Sequence, residues 1–446
     1  MASEWPEIQL GELVKRGEVT LQTGPFGSQL HKHDYIEHGV PVVPTEAIGH
    51  GLIVSESVLP QITEKKATEL KRHALQRGDI LFARRGAQAT GLSAYVDDAH
   101  VGALCGTGAI LLRLRSAALD PKFIASFLAT NEAFEWLRAN AVGAVMPNLN
   151  TGIISQLVVP VPPLWVQREI GITSSVIENR IQLLRNQNTT LEAIAQTLFK
   201  SWFVDFDPVR AKAEGREPDS MDAATAALFP DSFEDSPLGP IPQGWHASSL
   251  TDCMELNPKR VLRKGSLASY LDMANAPTQG HRPSGIAQRE LGSGSKFING
   301  DTLLAKITPC LENGKTAFVD FLADNEVGWG STEFIVMRPK APLSPFWGYL
   351  LARMPSFRTF AIQAMTGTSG RQRVDLGSLK QFSVVMPNVG VAKAFEKIIE
   401  PLRARIAAAS SHADSLSELR DTLLPRLISG KLRLPEAQAL IEDATP

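Results

Sequence analysis

The sequence predicts a mixed α/β protein with two tandem globular domains, separated by two long helices that pair as an antiparallel coiled coil. Two observations predict this fold class. A long heptad pattern of apolar residues occurs twice, and short apolar runs edged by Gly, Pro and Asp precede each occurrence, as is typical of strands. The chain has 446 residues, which is enough for two or three domains.

The first long helix is predicted over residues 177–202, where the seam residues alternate steps of four and three. At a rise of about 1.5 Å per residue, this rod is roughly 40 Å long. Because an apolar seam of that length is unfavourable in water, we expect it to be buried against another helix. The seam positions are Ile177, Ile181, Leu184, Asn188, Leu191, Ala195, Leu198 and Trp202.

A second copy of this seam lies 225 residues further along the chain, so the two copies are expected to pair with each other. Asn188 is the polar position of the first copy. It either fixes the register of the pair or is a partly exposed residue without a special role. The second copy consists of Leu402, Ile406, Ala409, Ala413, Leu416, Arg420, Leu423 and Leu427.

The duplication extends into the globular parts. The offset of 225 also joins Gly152 to Gly377, and an offset of 222 joins the Gly-Asp turn at Gly78 to the one at Gly300. Because these matches lie in strands and loops, helical periodicity alone does not explain them. The sequence therefore predicts a tandem duplication of one unit, a globular part followed by a long helix, whose copies differ most in the globular part.

Short apolar runs give the elements of each globular part. Strands are predicted within 39–48, 78–86 and 109–115, followed by a helix over 121–140 with Asp120 as its cap. In the second copy, strands are predicted within 301–309 and 332–338, followed by a helix over 345–365. The second long helix is predicted to be interrupted at Pro401 and Pro425, and the tail from Leu434 to be loose.

These elements predict the following domain boundaries. Residues 1–160 form the first globular domain, 161–207 the first helix region, 208–240 a surface linker with one short helix near 221–228, 241–387 the second globular domain, and 388–446 the second helix region and tail.

Composition limits the function. No uncharged apolar run is long enough to span a membrane and the first residues lack a signal-peptide pattern, so a cytoplasmic protein without membrane contact is expected. The three cysteines are far apart and are interpreted as reduced thiols. The net charge is only −2, but residues 236–385 hold 16 Lys and Arg against 11 Asp and Glu. A basic second globular part fits contact with phosphate.

A series of motifs in both halves resembles one known family. The motifs are GPFGSQL and GVPVV in the first half, TLEAIAQTLFKSWFVDFDPV at the end of the first rod, and NPKRVLRKGSLASYLDMANAP, GDTLLAKITPCLENGKTA, GSTEFIVMRP and TGTSGRQRV in the second half. Together they resemble the specificity subunits of type I restriction-modification systems, across essentially the whole chain.

The resemblance implies two target recognition domains, each reading one half of an asymmetric bipartite site on double-stranded DNA. It also implies two methyltransferase subunits, which bind S-adenosylmethionine and methylate adenine N6, and restriction subunits that act as the motor and nuclease. The ATP, Mg and S-adenosylmethionine of such a complex would be held by the partners, with no cofactor on this chain.

Side chains suited to DNA contact occur at matched positions of the two copies. Arg and Gln can bond guanine and adenine edges bidentately, whereas Lys more often neutralises phosphate. For each residue, an ordinary solvated surface charge is the alternative. The candidates, in order, are Arg371, Gln372 and Arg373, then Arg84, Arg85, Lys306 and Lys315, then Lys32, Lys259 and Arg260.

The sequence gives little support for catalysis by this chain. His31, His33, Asp34 and His38 lie in one turn-rich segment, but no second ligand cluster accompanies them, so no metal site is predicted. Phosphate-binding glycine loops and a nucleophile elbow are missing from the sequence. The rival functions are a coiled-coil scaffold without DNA contact, which salt-dependent DNA affinity would exclude, and an enzyme with an unrecognised site.

Overall fold

The computed structural model describes residues 4–54, 59–86, 89–143, 146–283, 285–368 and 370–436. The chain divides into two compact units. The first unit comprises residues 1–183 and 413–446, and the second comprises residues 184–412. Each unit therefore contains one globular part and a segment of both long helices.

The globular part of the first unit mixes short strands and helices. Its strands are β1 (Glu7–Gln9), β2 (Val19–Thr23), β3 (Tyr35–Ile36), β4 (Val40–Val43), β5 (Gly51–Leu52), β6 (Gln61–Ile62), β7 (Ile80–Ala83), β8 (Ser93–Tyr95), β9 (Leu104–Cys105), β10 (Ala109–Leu114) and β11 (Val158–Pro160). Its helices are α1 (Leu10–Lys15), α2 (Glu64–Glu69), α3 (Pro121–Leu128), α4 (Asn131–Ala139) and α5 (Thr151–Ser155). Sheets of order β2-β10-β7-β8-β5 and β3-β6-β4-β9 form its centre, and β1 pairs with β11.

The first long helix, α6 (Leu164–Lys200), begins directly after Pro163 and ends in a π-helical turn, Ser201–Asp205. The chain continues through α7 (Asp207–Ala213), α8 (Ala223–Ala226) and the hairpin of β12 (Phe233–Glu234) and β13 (Ile241–Pro242). The prediction that 208–240 is a surface linker is wrong in one respect, because some of its apolar side chains are buried. Val209 and Phe229 are buried in the core of the second unit, where Phe229 contacts Trp202 edge to face at 4.9 Å.

The second globular part repeats the plan of the first. Its strands are β14 (His246–Ser249), β15 (Met254–Leu256), β16 (Leu267–Leu271), β17 (Ala287–Glu290), β18 (Ser295–Phe297), β19 (Thr302–Ala305), β20 (Thr316–Phe318), β21 (Gly328–Gly330), β22 (Phe334–Pro339), β23 (Met365–Thr366), β24 (Arg373–Val374) and β25 (Ser383–Met386). Its helices are α9 (Leu250–Cys253), α10 (Pro345–Arg353), α11 (Pro355–Gln363) and α12 (Leu376–Leu379). Its sheets have the orders β15-β22-β19-β20 and β17-β16-β21-β18, and β14 pairs with β25.

The second long helix, α13 (Val389–Ile428), begins 225 residues after α6 begins, which agrees with the predicted duplication. The buried ion pairs agree as well. Asp79 accepts from Arg113 at 2.6 Å in the first unit, and Asp301 accepts from Arg338 at 2.5 Å at the matching positions of the second. A carboxylate buried in a protein must be paired, so these two pairs fix the same corner of both globular parts.

The predicted seam is buried in both units. In the first unit, Ile177 and Ile181 of α6 and Leu423 of α13 are at most 5% exposed, and Arg420 donates to Glu178 at 2.6 Å. Residues 413, 416 and 427 are also buried there. The segments of α6 and α13 in this unit therefore pack through the residues that the heptad pattern selects.

In the second unit, the contacts between the two helices show an antiparallel arrangement. The amide of Asn188 donates to Ser410 at 2.9 Å, and eleven residues further along α6, Phe199 contacts Phe395. Leu184, Leu191, Ala195, Ile406 and Ala409 are buried, and Leu198 and Leu402 are half-buried. Asn188 thus has a specific partner, which favours its role in register over that of a residue without function.

Four predictions of where helices are interrupted or continuous are wrong. Helix α13 continues through Pro401 and Pro425, although a proline inside a helix removes one hydrogen bond and costs about 3 kcal/mol. Buried apolar residues lie on both sides of each proline, Ile399 and Ile406 around Pro401 and Leu424 and Leu427 around Pro425, and this tertiary packing keeps the helix continuous. The predicted helices over 121–140 and 345–365 are each two helices, with breaks at Ala129–Thr130 and Met354.

Within the described residues, no helix has both the length and the apolar character that a membrane crossing requires. Most of the tail that was predicted to be loose, residues 437–446, lies outside the described part of the chain.

Candidate functional site

In the first unit, strand β7 ends at Ala83 and the two arginines that follow it lie beside the loop 146–149. The Arg84 N–H donates to the Gly108 carbonyl, and the Leu149 N–H donates to the Arg84 carbonyl. The Arg84 side chain is occupied by the same loop, since its Nε donates to Asn148 Oδ1 at 2.9 Å and to the Leu149 carbonyl at 3.1 Å. Arg84 therefore fixes the loop against the strand end.

Arg85 is exposed and lies beside an open cleft of about 130 Å³, which the segment 24–27 and Asn148 also line. Three large apolar side chains near it are exposed: Phe26 by 56%, Val142 by 65% and Met146 by 61%. We call Phe26, Arg84, Arg85, Val142, Met146 and Asn148 the first strand-end site. Its apolar members were not among the predicted contacts, because a sequence does not show which apolar loop residues remain exposed.

In the second unit, the corresponding backbone hydrogen bonds recur. Lys306, which follows β19, donates its N–H to the Glu333 carbonyl and accepts from the Val374 N–H. These bonds match those of Arg84 at offsets of 222 and 225. The predicted trio Arg371, Gln372 and Arg373 lies beside this strand end. Arg371 and Gln372 precede β24 in the β23–β24 connection, and Arg373 is the first residue of β24 and bridges to Ile307. We call Lys306, Glu333, Arg371, Gln372 and Arg373 the second strand-end site.

Glu333 and Arg373 form a forked ion pair in this site. Arg373 Nε lies 3.1 and 3.0 Å from the two carboxylate oxygens, and Nη2 lies 2.8 Å from Oε1. The hydrogen bond from Arg373 lowers the pKa of Glu333, partial burial opposes the shift, and the charge of Lys306 adds to it. At neutral pH, both groups are therefore charged.

The two sites share a backbone but not their side chains. Gly108 occupies the position that Glu333 has in the second site, at φ +90°. A Cβ there would lie 2.9 Å from Thr45 Oγ1 and 3.0 Å from Arg85 Nε, so the first site has no room for a side chain at this position.

The structure places the other predicted residues as follows. Arg371 is exposed, and the carbonyl of Gln372 accepts from the Thr308 N–H at 3.0 Å. The Lys315 ammonium donates to the carbonyls of Met273 at 2.7 Å and Ala274 at 3.0 Å, so it supports a loop.

The weaker candidates divide into anchored and exposed side chains. Arg260 lies 3.4 Å from Asp301 and is mostly buried, whereas Lys259 and Lys32 are exposed. Arg263 and Lys264, which were not predicted, are also exposed in the loop that Arg260 anchors. The DNA contacts of all these residues remain predictions.

The histidine-rich segment has a local structural explanation. The Asp34 carboxylate accepts from the His31 N–H at 2.7 Å, and this bond lowers the pKa of Asp34. The rings of His31 and His33 stack at 5.1 Å, and His38 is exposed. Among the residues with a described position, no three His, Cys, Asp or Glu side chains are grouped as metal ligands would be.

The known proteins to which this chain is similar are specificity subunits of type I restriction enzymes. The model of the type I restriction modification DNA specificity domain matches residues 2–193. The HindI specificity subunit of Haemophilus influenzae is 23% identical over 423 residues, which cover 81% of this chain and 88% of that protein. The MjaIX specificity subunit of Methanocaldococcus jannaschii is 22% identical and covers 84% and 82%.

Among solved structures, the crystal structure of the type I restriction-modification S subunit from M. genitalium matches 95% of this chain and 96% of its own. The TM-score is 0.53 and the sequence identity is 15%. At this identity, the match supports the fold alone.

Proposed function

We propose that this chain is an HsdS-like specificity subunit of a type I restriction-modification system and that it reads an asymmetric bipartite DNA site, one half with each unit. The match of residues 2–193 to the specificity-domain model and the similarity to curated specificity subunits over most of the chain support this proposal. The observation that supports this proposal is the pair of strand-end sites. They have the same backbone arrangement in both units but different side chains, so the two units present different contacts to DNA.

The side chains of the two sites suit different kinds of DNA contact. Arg373 and Gln372 have the donors and acceptors that read purine edges in the major groove. In the first site, Arg85 supplies a positive charge. The exposed apolar side chains of Phe26 and Met146 can pack against sugars or thymine methyl groups. Exposed Lys259, Arg263 and Lys264 would neutralise phosphates and hold the chain on the duplex.

The methyltransferase subunits would bind the long helices. Helix α6 exposes a second apolar stripe, distinct from its buried seam, at steps of seven, four and seven residues in the first unit: Trp165, Ile172, Val176 and Leu183. An exposed apolar stripe of this kind is typical of a surface that another protein covers. Two methyltransferase subunits and the restriction subunits would complete the complex.

In this proposal, the chain itself is not catalytic. The partners would bind S-adenosylmethionine, ATP and Mg, and the chain would determine where they act. Its own side chains would bind and orient DNA.

The test is selection of duplexes from a random library by the full-length chain at several salt concentrations. We expect a motif with two defined halves and an affinity that falls steeply with salt. Arg85→Gln should alter only the first half, and Arg373→Gln only the second. Binding without sequence preference, or no binding to DNA, would contradict the proposal, and the latter would favour the scaffold alternative.

A further inference from the structure

Arg373 uses only one edge of its guanidinium group in contact with Glu333. The side edge, formed by Nε and Nη2, donates to the carboxylate. The other edge, formed by Nη1 and Nη2, is left with two parallel N–H donors, and the Arg373 side chain is 50% exposed. A side chain held in this way presents its free edge in a fixed direction.

The free edge matches one base. Guanine presents O6 and N7 as two adjacent acceptors in the major groove, and a guanidinium edge with two parallel donors is their most common partner. Adenine presents one acceptor and one donor there, which two donors cannot satisfy. We propose that Glu333 is a positioning residue that holds Arg373 to read a guanine in the second half of the DNA site. This inference rests on the proposed function.

The backbone fixes both members of the pair. Arg373 lies in β24, which pairs with β23 and forms a bridge to Ile307. The Glu333 carbonyl accepts from the Lys306 N–H, and the Glu333 N–H donates to Ser331 Oγ at 3.2 Å. Because the main chain is held at both residues, the ion pair also orders the Arg373 side chain. The side chain therefore loses less conformational entropy when DNA binds.

The charge of Glu333 also favours a base over a phosphate as the target of Arg373. A carboxylate beside the guanidinium repels a phosphate that approaches the same group, whereas a base edge carries no net charge. The carboxylate is 21% exposed, so this repulsion acts at the surface that DNA would approach. The Glu333 carboxylate therefore favours base reading over backbone contact at Arg373.

The first unit supports the assignment by contrast. Its matching position is Gly108, and a side chain there would collide with Thr45 and Arg85. The first strand-end site therefore holds its arginine without this carboxylate. A Glu333-dependent preference should consequently appear in one half of the DNA motif only.

The experiment compares the full-length chain with its Glu333→Gln variant in duplex selection from a random library. We expect the preference for guanine at one position of the second half to fall by roughly tenfold, since a good bidentate contact discriminates by about that much. The first half, and the salt dependence of binding, should be unchanged. Glu333→Asp, which keeps the charge, should retain part of the preference.

Glu312→Gln is the matched control, because it removes an exposed carboxylate of the same unit outside this site. Arg373→Lys should lose the same guanine position, and adding Glu333→Gln to it should have no further effect on that position. An unchanged motif for Glu333→Gln, or equal relaxation of both halves, would overturn the inference. A wild-type chain that selects no motif would instead overturn the proposed function.

Discussion

His73 shows how one buried side chain makes the first unit sensitive to pH. Burial, and then the charge of Arg72, lowers the pKa of His73 from 6.5 to about 4. Arg72 Nε lies 2.9 Å from His73 Nε2, and because a guanidinium can only donate, this ring nitrogen must accept. Protonation of the ring would place two N–H groups against each other.

The stability of the first unit should therefore fall as the pH falls from about 6.5 towards 4. A histidine with a depressed pKa in the folded state binds protons more readily when the chain unfolds, so acid favours unfolding across this window. We expect the urea midpoint of the wild-type chain to decrease between pH 7 and pH 5. In His73→Gln this decrease should be smaller, whereas in His38→Gln, which changes an exposed residue, it should match the wild type. Identical pH profiles for all three chains would contradict this role of His73.

At the scale of single residues, the sequence predicted how the two strand-end sites align with each other but not the side-chain contacts within them. The duplication aligned Arg84 with Lys306 and the loop at Asn148 with the segment at Arg373. In the structure, Arg84 contacts Asn148 within the first unit, and Lys306 bonds to the neighbour of Arg373 within the second. Arg84 and Lys315 donate hydrogen bonds to loop carbonyl and amide oxygens, and Glu333 pairs with Arg373. All of these contacts depend on the directions in which the side chains point. A sequence pattern does not contain those directions.

The long helices were the most predictable elements, because their heptad pattern is local and repeated. The seam positions from Ile177 to Leu427 are buried or half-buried in the described structure. The errors concern tertiary packing. Pro401 and Pro425 do not end α13, and the polar composition of 208–240 concealed the apolar anchors Val209 and Phe229.

Ile181 and Leu183 of α6 are close in sequence, but the first belongs to the buried seam and the second to the exposed stripe. Ile181 is fully buried, whereas Leu183 is 56% exposed. Ile181→Ala should lower the free energy of unfolding by about 2–5 kcal/mol, because it leaves a cavity in the helix pair. Leu183→Ala should change it by less than about 0.5 kcal/mol. Urea titrations of both variants measure the difference.

The same Leu183→Ala variant tests the stripe as a binding surface. If a methyltransferase subunit covers it, the variant should retain less of that subunit on a size-exclusion column while its DNA selection stays unchanged. Equal unfolding free energies for Ile181→Ala and Leu183→Ala would show that the seam is assigned to the wrong face. Unchanged retention of the subunit would exclude Leu183 from the interface.

For the whole molecule, the duplication is the feature that connects fold and function. Both units contain the same ion-paired corner, Asp79 with Arg113 and Asp301 with Arg338, and the same strand-end backbone. The repeat was predictable because its offset is constant over long stretches of sequence. The target sequence was not predictable, since it depends on the loops in which the two copies differ.

The most direct test of the account exchanges residues 1–160 for the corresponding part of another specificity subunit. The chimera and the wild-type chain are each co-expressed with the same methyltransferase subunit, and N6-methyladenine is mapped across the host DNA. We predict one asymmetric bipartite motif for each chain, with the second half shared and the first half changed. A motif that changes in both halves, or methylation without any motif while the complex still forms, would contradict the claim that each unit reads its own half.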